Sequence, residues 1–218
     1  MADYLLELLI VRHGETDYNH TDTIQGQRNS QLTPLGLKQA RLAAEYLKQE
    51  KFDGAFVSDL DRTRDTAKEI LAYHPDIPVI YTEALREWKL GILEGQKYAE
   101  MTPQTRQLVD IMRSNENAPD IPGAETSAEF QKRVSDFMEY LATEHCGKRL
   151  LLVSHGGTMQ RIFCHCVAPL ATGNVRPLCN NTCVSIFRKR NDGRWQLVKW
   201  NDTSHLAALS QQQEQKTI

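Results

Sequence analysis

The sequence predicts an α/β fold, a three-layer α/β/α sandwich with a mostly parallel central sheet and a C-terminal hairpin. Two apolar runs, residues 5–11 with Glu7 as the one charged residue and the fully apolar 150–153, have the length and composition of buried strands. Predicted strands alternate with predicted helices along the chain, which is typical of a sheet with helices on both faces. Near the end, two alternating segments flank Asn191-Asp192-Gly193, a pattern that predicts a β-hairpin.

The helix boundaries come from capping signals. Thr33 followed by Pro34 is an N-cap residue with proline at the first helical position. Thr126 with Glu129 forms a capping box ahead of apolar residues at helical spacing. In order, the predicted elements are a strand at 5–11, a helix from 34 to 47, a strand at 55–57, a helix at 60–73, a strand at 79–82, a weakly patterned region at 84–123 with one or two short helices, a helix from 126 to 141, a strand at 150–153, a helix at 156–167, and hairpin strands at 182–189 and 195–200.

Length, composition and charge limit the number of domains and the kinds of partner that this chain can have. With 218 residues, of which 40% are hydrophobic and 25% charged, the chain fits one domain over 1–218. Within it, we expect a lid or specificity segment at about 95–123 and a frayed tail from 211. The formal net charge of -2 favours no nucleic-acid or membrane partner, so any anion site must be local.

Cysteine usage indicates a reducing compartment. The chain has five cysteines, an odd number, and its first residues lack a basic region or an apolar run long enough for a secretory signal. We therefore expect a cytoplasmic protein with free thiols. The triplet Cys164-His165-Cys166 lacks the spacing of zinc ligands, and we interpret it as part of a helix with buried thiols.

Two of the predicted strands end in a histidine followed by glycine. His13-Gly14 follows the first strand, and His155-Gly156 follows the strand at 150–153. In open α/β sheets, ligands bind beyond the carboxyl ends of the strands. A glycine after each histidine lets a substrate approach the backbone closely. The pairs therefore predict a binding site at this edge.

Charged residues follow two further elements. Arg62 lies where the helix at 60–73 begins, and Glu87 follows the strand at 79–82. Arg64, two residues on, should face elsewhere on the helix. Together with Arg12, which precedes His13, these residues make a set of two arginines, two histidines and one glutamate. We expect the set to lie at the carboxyl edge of the predicted sheet.

This set suits phosphoryl transfer without a metal or another cofactor. Guanidinium groups of Arg12 and Arg62 match the oxygens of a phosphoryl group, and His155 can donate a further hydrogen bond. A neutral His13 can attack phosphorus, while Glu87 protonates the leaving oxygen and then activates water. The sequence contains no nucleotide P-loop, His-Glu-x-x-His or Gly-x-Ser-x-Gly motif.

An ordered set of motifs covers most of the chain. It consists of residues 9–16 with Asn19, Ile24-Gln25-Gly26, residues 32–36, Ser58-Asp59-Leu60 with Arg62, Thr66-Ala67, Leu85-Arg86-Glu87 with Gly91, Glu94-Gly95, residues 122–126 and Val153-Ser154-His155-Gly156. In these motifs the sequence resembles the histidine phosphatase superfamily, also called phosphoglycerate-mutase-like proteins.

The resemblance implies roles for individual residues. His13 would be the phosphorylated histidine, Glu87 the proton donor, and Arg12, Arg62 and His155 the phosphate pocket. The substrate-binding residues would be Asn19, Gln25, Gly26 and Gly156. It also implies a three-layer α/β/α core, with lids formed by the loop after His13 and the segment after Glu94.

The sequence departs from many relatives in one place and leaves alternatives open. Residues 27–31 lack the aspartate that many relatives carry before the Leu-Thr pair. The long insertion of glycolytic mutases, rich in Arg and Tyr, is not seen between residues 95 and 123. We therefore predict a phosphatase acting on a small phosphorylated metabolite. The alternatives are a phosphoglycerate mutase, a sugar-bisphosphate phosphatase and a non-catalytic phospho-ligand binding module. Arg106 and Arg113 could bind a second anionic group, although solvated helix-surface charges are favoured.

Overall fold

Six strands form one sheet in the computed structural model, which describes residues 4–113, 121–167, 177–207 and 209. They are β1 (Tyr4–Arg12), β2 (Gly54–Ser58), β3 (Val79–Thr82), β4 (Lys148–Ser154), β5 (Val184–Arg190) and β6 (Trp195–Asp202). Their order across the sheet is β3-β2-β4-β1-β5-β6. The first four pair in parallel, whereas β5 is antiparallel to both β1 and β6. The predicted mostly parallel sheet and C-terminal hairpin are confirmed, and the predicted tail from 211 lies outside the described residues.

The described helices are α1 (Asp17–His20), α2 (Pro34–Leu47), α3 (Asp61–Leu71), α4 (Pro103–Arg113), α5 (Ser127–Glu144) and α6 (Gly156–Val167), with single 3₁₀ turns at Glu83–Leu85, Gly91–Leu93, Tyr98–Glu100 and Ser204–Leu206. Two of the described helices, α2 and α5, begin at the predicted capping residues. Thr33 caps α2 by accepting a hydrogen bond from the Gly36 N–H. Thr126 and Glu129 form the predicted capping box of α5. No helix among these described residues has the length and apolarity that a membrane crossing requires.

The helices cover both faces of the sheet, which confirms the three layers. Successive side chains of a strand point to opposite faces. In β1, Leu8 and Ile10 pack with residues of α5 and α6, whereas Leu9 and Val11 pack with residues of α2 and α3. These residues are essentially inaccessible to solvent. The sheet is therefore held in one position from both sides.

The register of β1 and β4 brings the two histidines together. Arg12 lies opposite Ser154, and the His13 N–H donates to the Ser154 carbonyl oxygen at 3.0 Å. The next residue of each strand is a histidine, so both leave the sheet at the same edge. The strand β2, also parallel to β4, ends beside them at Ser58.

Two glycines hold the loop after His13 against the first turn of α2. A Cβ atom on Gly14 would overlap the Gly36 carbonyl group, and one on Gly36 would overlap the Glu15 carbonyl group. Only glycine permits such a close backbone approach. The loop that carries His13 is thereby packed directly on a helix.

The weakly patterned region at 84–123 has three 3₁₀ turns and α4 within its described part, rather than one or two short helices. It has its own small core, made by Ile24, Leu93, Met101, Val109 and Ile121. A single turn buries too few residues to produce a periodic pattern, which is why the turns were not predicted. The core fixes this region beside the carboxyl edge of the sheet.

Candidate active site

A cavity of about 350 Å³ opens at the carboxyl edge of the parallel strands. The predicted site residues that line it are Arg12, His13, Asn19, Gln25, Gly26, Arg62, Glu87 and Gly156. His155 is completely buried, and its ring centroid lies 5.2 Å from that of His13. The structure thus brings all nine predicted residues to one place.

His13 is held as a neutral imidazole with a defined tautomer. Its Nδ1 lies 2.7 Å from the Gly14 carbonyl oxygen. Because a carbonyl oxygen only accepts, Nδ1 carries the proton and Nε2 keeps its lone pair. Burial, followed by the charges of Arg62 and Arg12, lowers the pKa of His13 well below its usual range. The ring therefore has the charge state and tautomer of a nucleophile.

His155 is bonded to protein side chains at both ring nitrogens. Arg62 Nε donates to His155 Nδ1 at 3.1 Å, so the ring proton is on Nε2, which donates to Ser58 Oγ at 2.8 Å. Burial, then the Arg62 charge, lowers the pKa of His155 well below its usual range. A direct hydrogen bond from His155 to phosphate stays a prediction, because it needs Arg62 or Ser58 to give way.

Arg62 is a completely buried cation. Besides His155, it donates to the carbonyl oxygens of Gly26 and Arg28, each at 2.8 Å. These contacts use three of the five guanidinium N–H groups, which leaves two for an anion. Burial lowers the pKa of Arg62 to about 10, so the group is still charged at neutral pH.

The Arg12 guanidinium lies beside Gly156, the first residue of α6. Its Nη1 donates to the Cys179 carbonyl oxygen, and a Cβ atom on Gly156 would lie 3.3 Å from Nε. Nε is buried and has no hydrogen-bond partner in the described part of the chain. Burying an N–H of a charged group without a hydrogen-bond partner costs free energy. An anion bound beside Gly156 would accept this hydrogen bond. The N–H groups at the start of α6 favour an anion at the same place.

Glu87 is oriented by two backbone N–H groups. Its Oε1 accepts from the Trp88 N–H at 2.8 Å, and its Oε2 accepts from the Gly157 N–H at 3.0 Å. A Cβ atom on Gly157 would overlap the Glu87 carboxylate. Gly157 is therefore part of the site, and its position two residues after His155 was the only signal for it in the sequence.

The backbone around Glu87 is held by Arg133 of α5. Arg133 donates to the carbonyl oxygens of Ala84, Arg86 and Glu87 at 2.9, 3.0 and 3.3 Å. It also binds both carboxylate oxygens of Glu125. This contact could not be predicted from the sequence, because nothing in the local pattern distinguishes Arg133 from a solvent-exposed charged residue of a helix.

The Arg86 side chain ties the same loop to the sheet. Its guanidinium group binds both carboxylate oxygens of Asp59, at 2.7 and 2.6 Å. Since Asp59 follows β2 directly, this pair connects the Glu87 loop to the strand edge. Bidentate pairs of this kind fix geometry as well as contributing energy.

Two hydroxyl groups missed in the sequence complete the support. Thr66 Oγ1 accepts from the Gly14 N–H at 3.0 Å and donates to the Arg62 carbonyl oxygen at 2.7 Å. The Ser58 hydroxyl fixes the His155 ring, as described above. Both residues belong to the matched motifs, and that membership was the available signal.

The predicted substrate-binding residues have protein partners as well. Asn19 Oδ1 accepts from the Thr16 N–H at 3.2 Å in the capping box of α1. This helix has four residues and is too short to be predicted from periodicity. Gln25 Oε1 accepts from Ser30 Oγ at 2.8 Å. Gly26 has a φ of +52°, a conformation that suits glycine. Contact of these residues with a substrate stays a prediction.

The remaining candidates lie elsewhere. Arg64 donates to the Asp59 carbonyl oxygen and lies over the Tyr81 ring, away from the cavity. Arg106 donates to the Ala99 carbonyl oxygen and lines a separate cavity beside α4, whereas the Arg113 side chain is outside the described residues. Cys164 and Cys166 lie in α6, half-buried and buried. The described ranges contain no group of three or more His, Cys, Asp or Glu side chains placed to hold a metal ion.

A family model described as "Histidine phosphatase superfamily (branch 1)" matches residues 8–203. The chain belongs to the histidine phosphatase superfamily. The predicted family and fold class are thereby confirmed, as is the prediction of a phosphoric monoester hydrolase.

Similar histidine phosphatases carry different names. The chain is 34% identical over 207 residues to a metal-independent phosphoserine phosphatase of Arabidopsis thaliana, covering 93% of this chain and 84% of the relative. It is 36% identical over 152 residues to a probable phosphoglycerate mutase of Yersinia enterocolitica, covering 70% of each. A mutant phosphoserine phosphatase from Entamoeba histolytica, solved in complex with phosphoserine, superposes with a TM-score of 0.78 at 27% identity, covering 93% of this chain and all of that one.

The first prediction concerns Gly157. Because any side chain there would overlap the Glu87 carboxylate, Gly157→Ala should displace Glu87 and reduce turnover of alkyl phosphates by about 10²–10⁴, the range for a general acid–base group. Glu87→Gln should cause a similar loss. For both variants the loss should be smaller with p-nitrophenyl phosphate, whose leaving group needs less protonation. Steady-state kinetics with both substrates test this, and full activity of Gly157→Ala would contradict the assigned role.

The second prediction concerns pH and stability. The folded protein keeps His13 and His155 neutral, whereas the unfolded chain binds protons on them below a pH of about 6.5. Their contribution to stability is therefore fully present above that pH and is lost as the pH falls below it, by up to about 1.4 kcal/mol per pH unit for each histidine. Urea unfolding between pH 7.5 and 5.5 measures the slope. His155→Asn should make it shallower, and an unchanged slope would be evidence against a neutral buried ring.

Proposed function

We propose that this histidine phosphatase hydrolyses small phosphomonoesters through a covalent phosphohistidine at His13, without a metal ion. The observation that carries the proposal is the His13 tautomer. The bond from Nδ1 to Gly14 leaves the Nε2 lone pair available in a cavity that also contains the Arg12 and Arg62 cations. Such a nucleophile needs no separate base.

In the first step, His13 Nε2 attacks phosphorus, and the bond between phosphorus and the ester oxygen breaks. Arg12 Nε and the remaining N–H groups of Arg62 bind the equatorial oxygens, on which negative charge is concentrated. Glu87 gives its proton to the departing oxygen, so that an alcohol leaves rather than an alkoxide.

In the second step, water replaces the alcohol. The Glu87 carboxylate takes a proton from the water molecule as its oxygen attacks phosphorus, and the bond between phosphorus and Nε2 breaks. Phosphate is released, and Glu87 is protonated again. The two backbone hydrogen bonds to Glu87 keep the same carboxyl group in place for both proton transfers.

The place of action is part of the proposal. None of the five cysteines forms a disulfide, and Cys166, Cys179 and Cys183 are buried thiols whose pKa values are raised by burial. Unreactive free thiols support a reducing compartment such as the cytoplasm.

Rapid quenching tests the central step and gives the third prediction. With a good phosphomonoester substrate, the protein should trap an acid-labile, base-stable phosphoramidate, and peptide mapping should locate it on His13. His13→Ala should abolish both the trapped species and turnover. His155→Ala should lower turnover strongly, because Arg62 loses a partner, yet leave any residual label on His13. Label on another residue would refute the mechanism.

Phosphoglycerate mutase activity is the second candidate, because the Yersinia relative bears that name. A mutase must hold its phosphoenzyme away from water until the intermediate rebinds. The short segment between residues 95 and 123 favours access of water instead.

The fourth prediction separates the two activities. With 3-phosphoglycerate as substrate, phosphate release should exceed isomerisation by a wide margin, because the phosphoenzyme is open to water. Measuring released phosphate and isomerised product in the same reaction gives the ratio. An isomerisation rate above the rate of hydrolysis would establish the mutase.

A further inference from the structure

The segment that precedes β5 lies along the loop that carries His13. The Thr182 N–H donates to the carbonyl oxygens of Arg12 and His13 at 3.1 and 3.3 Å, and the Cys183 carbonyl oxygen accepts from the Arg12 N–H at 3.3 Å. These bonds extend the antiparallel pairing of β1 and β5 beyond the strands themselves. The segment is therefore placed against the backbone of the proposed nucleophile.

Thr182 has a strained backbone conformation in this segment. Its φ is +54°, in the left-handed region that a β-branched residue rarely adopts. The residue is completely buried, and its hydroxyl oxygen lies 3.3 Å from His205 Nε2. Strained backbone of this kind persists where surrounding contacts hold it, and it is concentrated at functional sites. Here the strained residue directs its N–H at the His13 carbonyl oxygen, immediately after Asn181.

The Asn181 side chain connects two residues of the active site. Its Nδ2 donates to the His13 carbonyl oxygen at 3.1 Å and to Asn19 Oδ1 at 3.3 Å. A carbonyl oxygen only accepts, so the atom of Asn181 that contacts it is the amide nitrogen, and both of its protons are used. Asn181 is not among the described residues that line the cavity, whereas His13 and Asn19 are. Any effect of Asn181 on the chemistry must therefore pass through those two residues.

The contacts of Asn19 fix the direction in which its amide faces. Oδ1 accepts from the Thr16 N–H and the Thr16 hydroxyl, each at 3.2 Å, as well as from Asn181. Because a backbone N–H only donates, the atom at this position must be the oxygen. All three bonds involve Oδ1, so Asn19 Nδ2 has no protein acceptor within the described part of the chain. Since Asn19 lines the cavity, its N–H groups are available to an oxyanion bound there.

We propose that Asn181 is a positioning residue, which holds the Asn19 amide with its N–H groups toward the phosphoryl group that His13 receives. The inference rests on the proposed function, because it takes the anion in the cavity to be that group. A rotation of the amide by about 180° would place Oδ1 against the phosphoryl oxygens, where two acceptors repel each other and a hydrogen bond is lost. Without Asn181 the His13 carbonyl oxygen keeps the Thr182 N–H as a partner, so the effect of its loss falls on Asn19.

A double-mutant cycle between residues 19 and 181 tests the proposal and gives the fifth prediction. Asn19→Ala should lower kcat/KM for p-nitrophenyl phosphate by about ten- to a hundredfold, the range for a hydrogen bond to a charged group. Asn181→Ala should lower it by about three- to tenfold, since Thr16 still holds the amide in part. The double variant should stay within about twofold of Asn19→Ala alone, because Asn181 then has no amide to orient. If Asn181 only supports the His13 loop, the two losses multiply, and that result would overturn the proposal.

Asn180→Ala is the matched control. Asn180 is the same type of residue one position earlier, and its exposed side chain forms no hydrogen bond with a described residue. Its replacement should leave kcat/KM unchanged. Urea unfolding checks that each variant is folded. If Asn181→Ala is not, Asn181→Ser takes its place in the cycle, because a hydroxyl group donates at most one of the two hydrogen bonds. Full activity of the Asn181 variant would also contradict the proposal.

Orthovanadate separates failure of this inference from failure of the proposed function. This oxyanion imitates a phosphoryl group in transfer, and calorimetry measures its Kd without turnover. If the wild-type protein hydrolyses p-nitrophenyl phosphate but the two losses multiply, only the inference about Asn181 falls. If the wild-type protein hydrolyses no phosphomonoester, the proposed function falls, and the same cycle on the Kd of orthovanadate decides the inference. A double variant equal to Asn19→Ala then supports it, whereas losses that multiply, or no binding of orthovanadate, overturn it.

Discussion

Three distant parts of the chain meet at the buried guanidinium of Arg62. It bonds to carbonyl oxygens of residues 26 and 28, in the loop after α1, and to His155 after β4. Removing a cation from water is costly unless neighbouring groups replace the lost hydration. Neutral acceptors satisfy three of its five N–H groups and leave the net charge uncompensated. Burial, followed by that residual charge, lowers the pKa of His13 and His155 and keeps them neutral, and the charge makes a bound anion favourable.

The acid side of the site depends on a different kind of support. Glu87 belongs to a loop, yet its backbone is bound by Arg133 and its carboxylate by the Gly157 N–H. The adjacent Arg86–Asp59 pair anchors the loop at β2. A general acid must stay within hydrogen-bonding distance of the leaving oxygen, and these contacts restrict its movement as a regular element would. Helices α5 and α6 thus serve the chemistry as well as the core.

Elements with strong local signals could be predicted from the sequence. The strand before His13 is an apolar run, and α2 and α5 begin at capping residues, so their positions depend on neighbouring residues alone. The helix α1 was missed because four residues cannot show periodicity, although Thr16 and Asn19 carried a capping signal. The 3₁₀ turns around Glu87 are stabilised by contacts with distant residues, which no local pattern contains.

The sequence by itself determined the fold class, the family and the residue types of the site, because strand ends, helix caps and ordered motifs are local properties. It also predicted that His13 and His155 lie at the same edge of the sheet, because the carboxyl ends of parallel strands meet there. Only the tertiary structure decided the His13 tautomer, the partners of His155 and the contacts of Arg133, Gly157 and Asn181. The His13 tautomer depends on the adjacent Gly14, whose loop packs against Gly36 of α2. The other features depend on a hydrogen bond between residues far apart in the sequence or on the space left beside a backbone atom. Such distances are fixed only when the layers pack together.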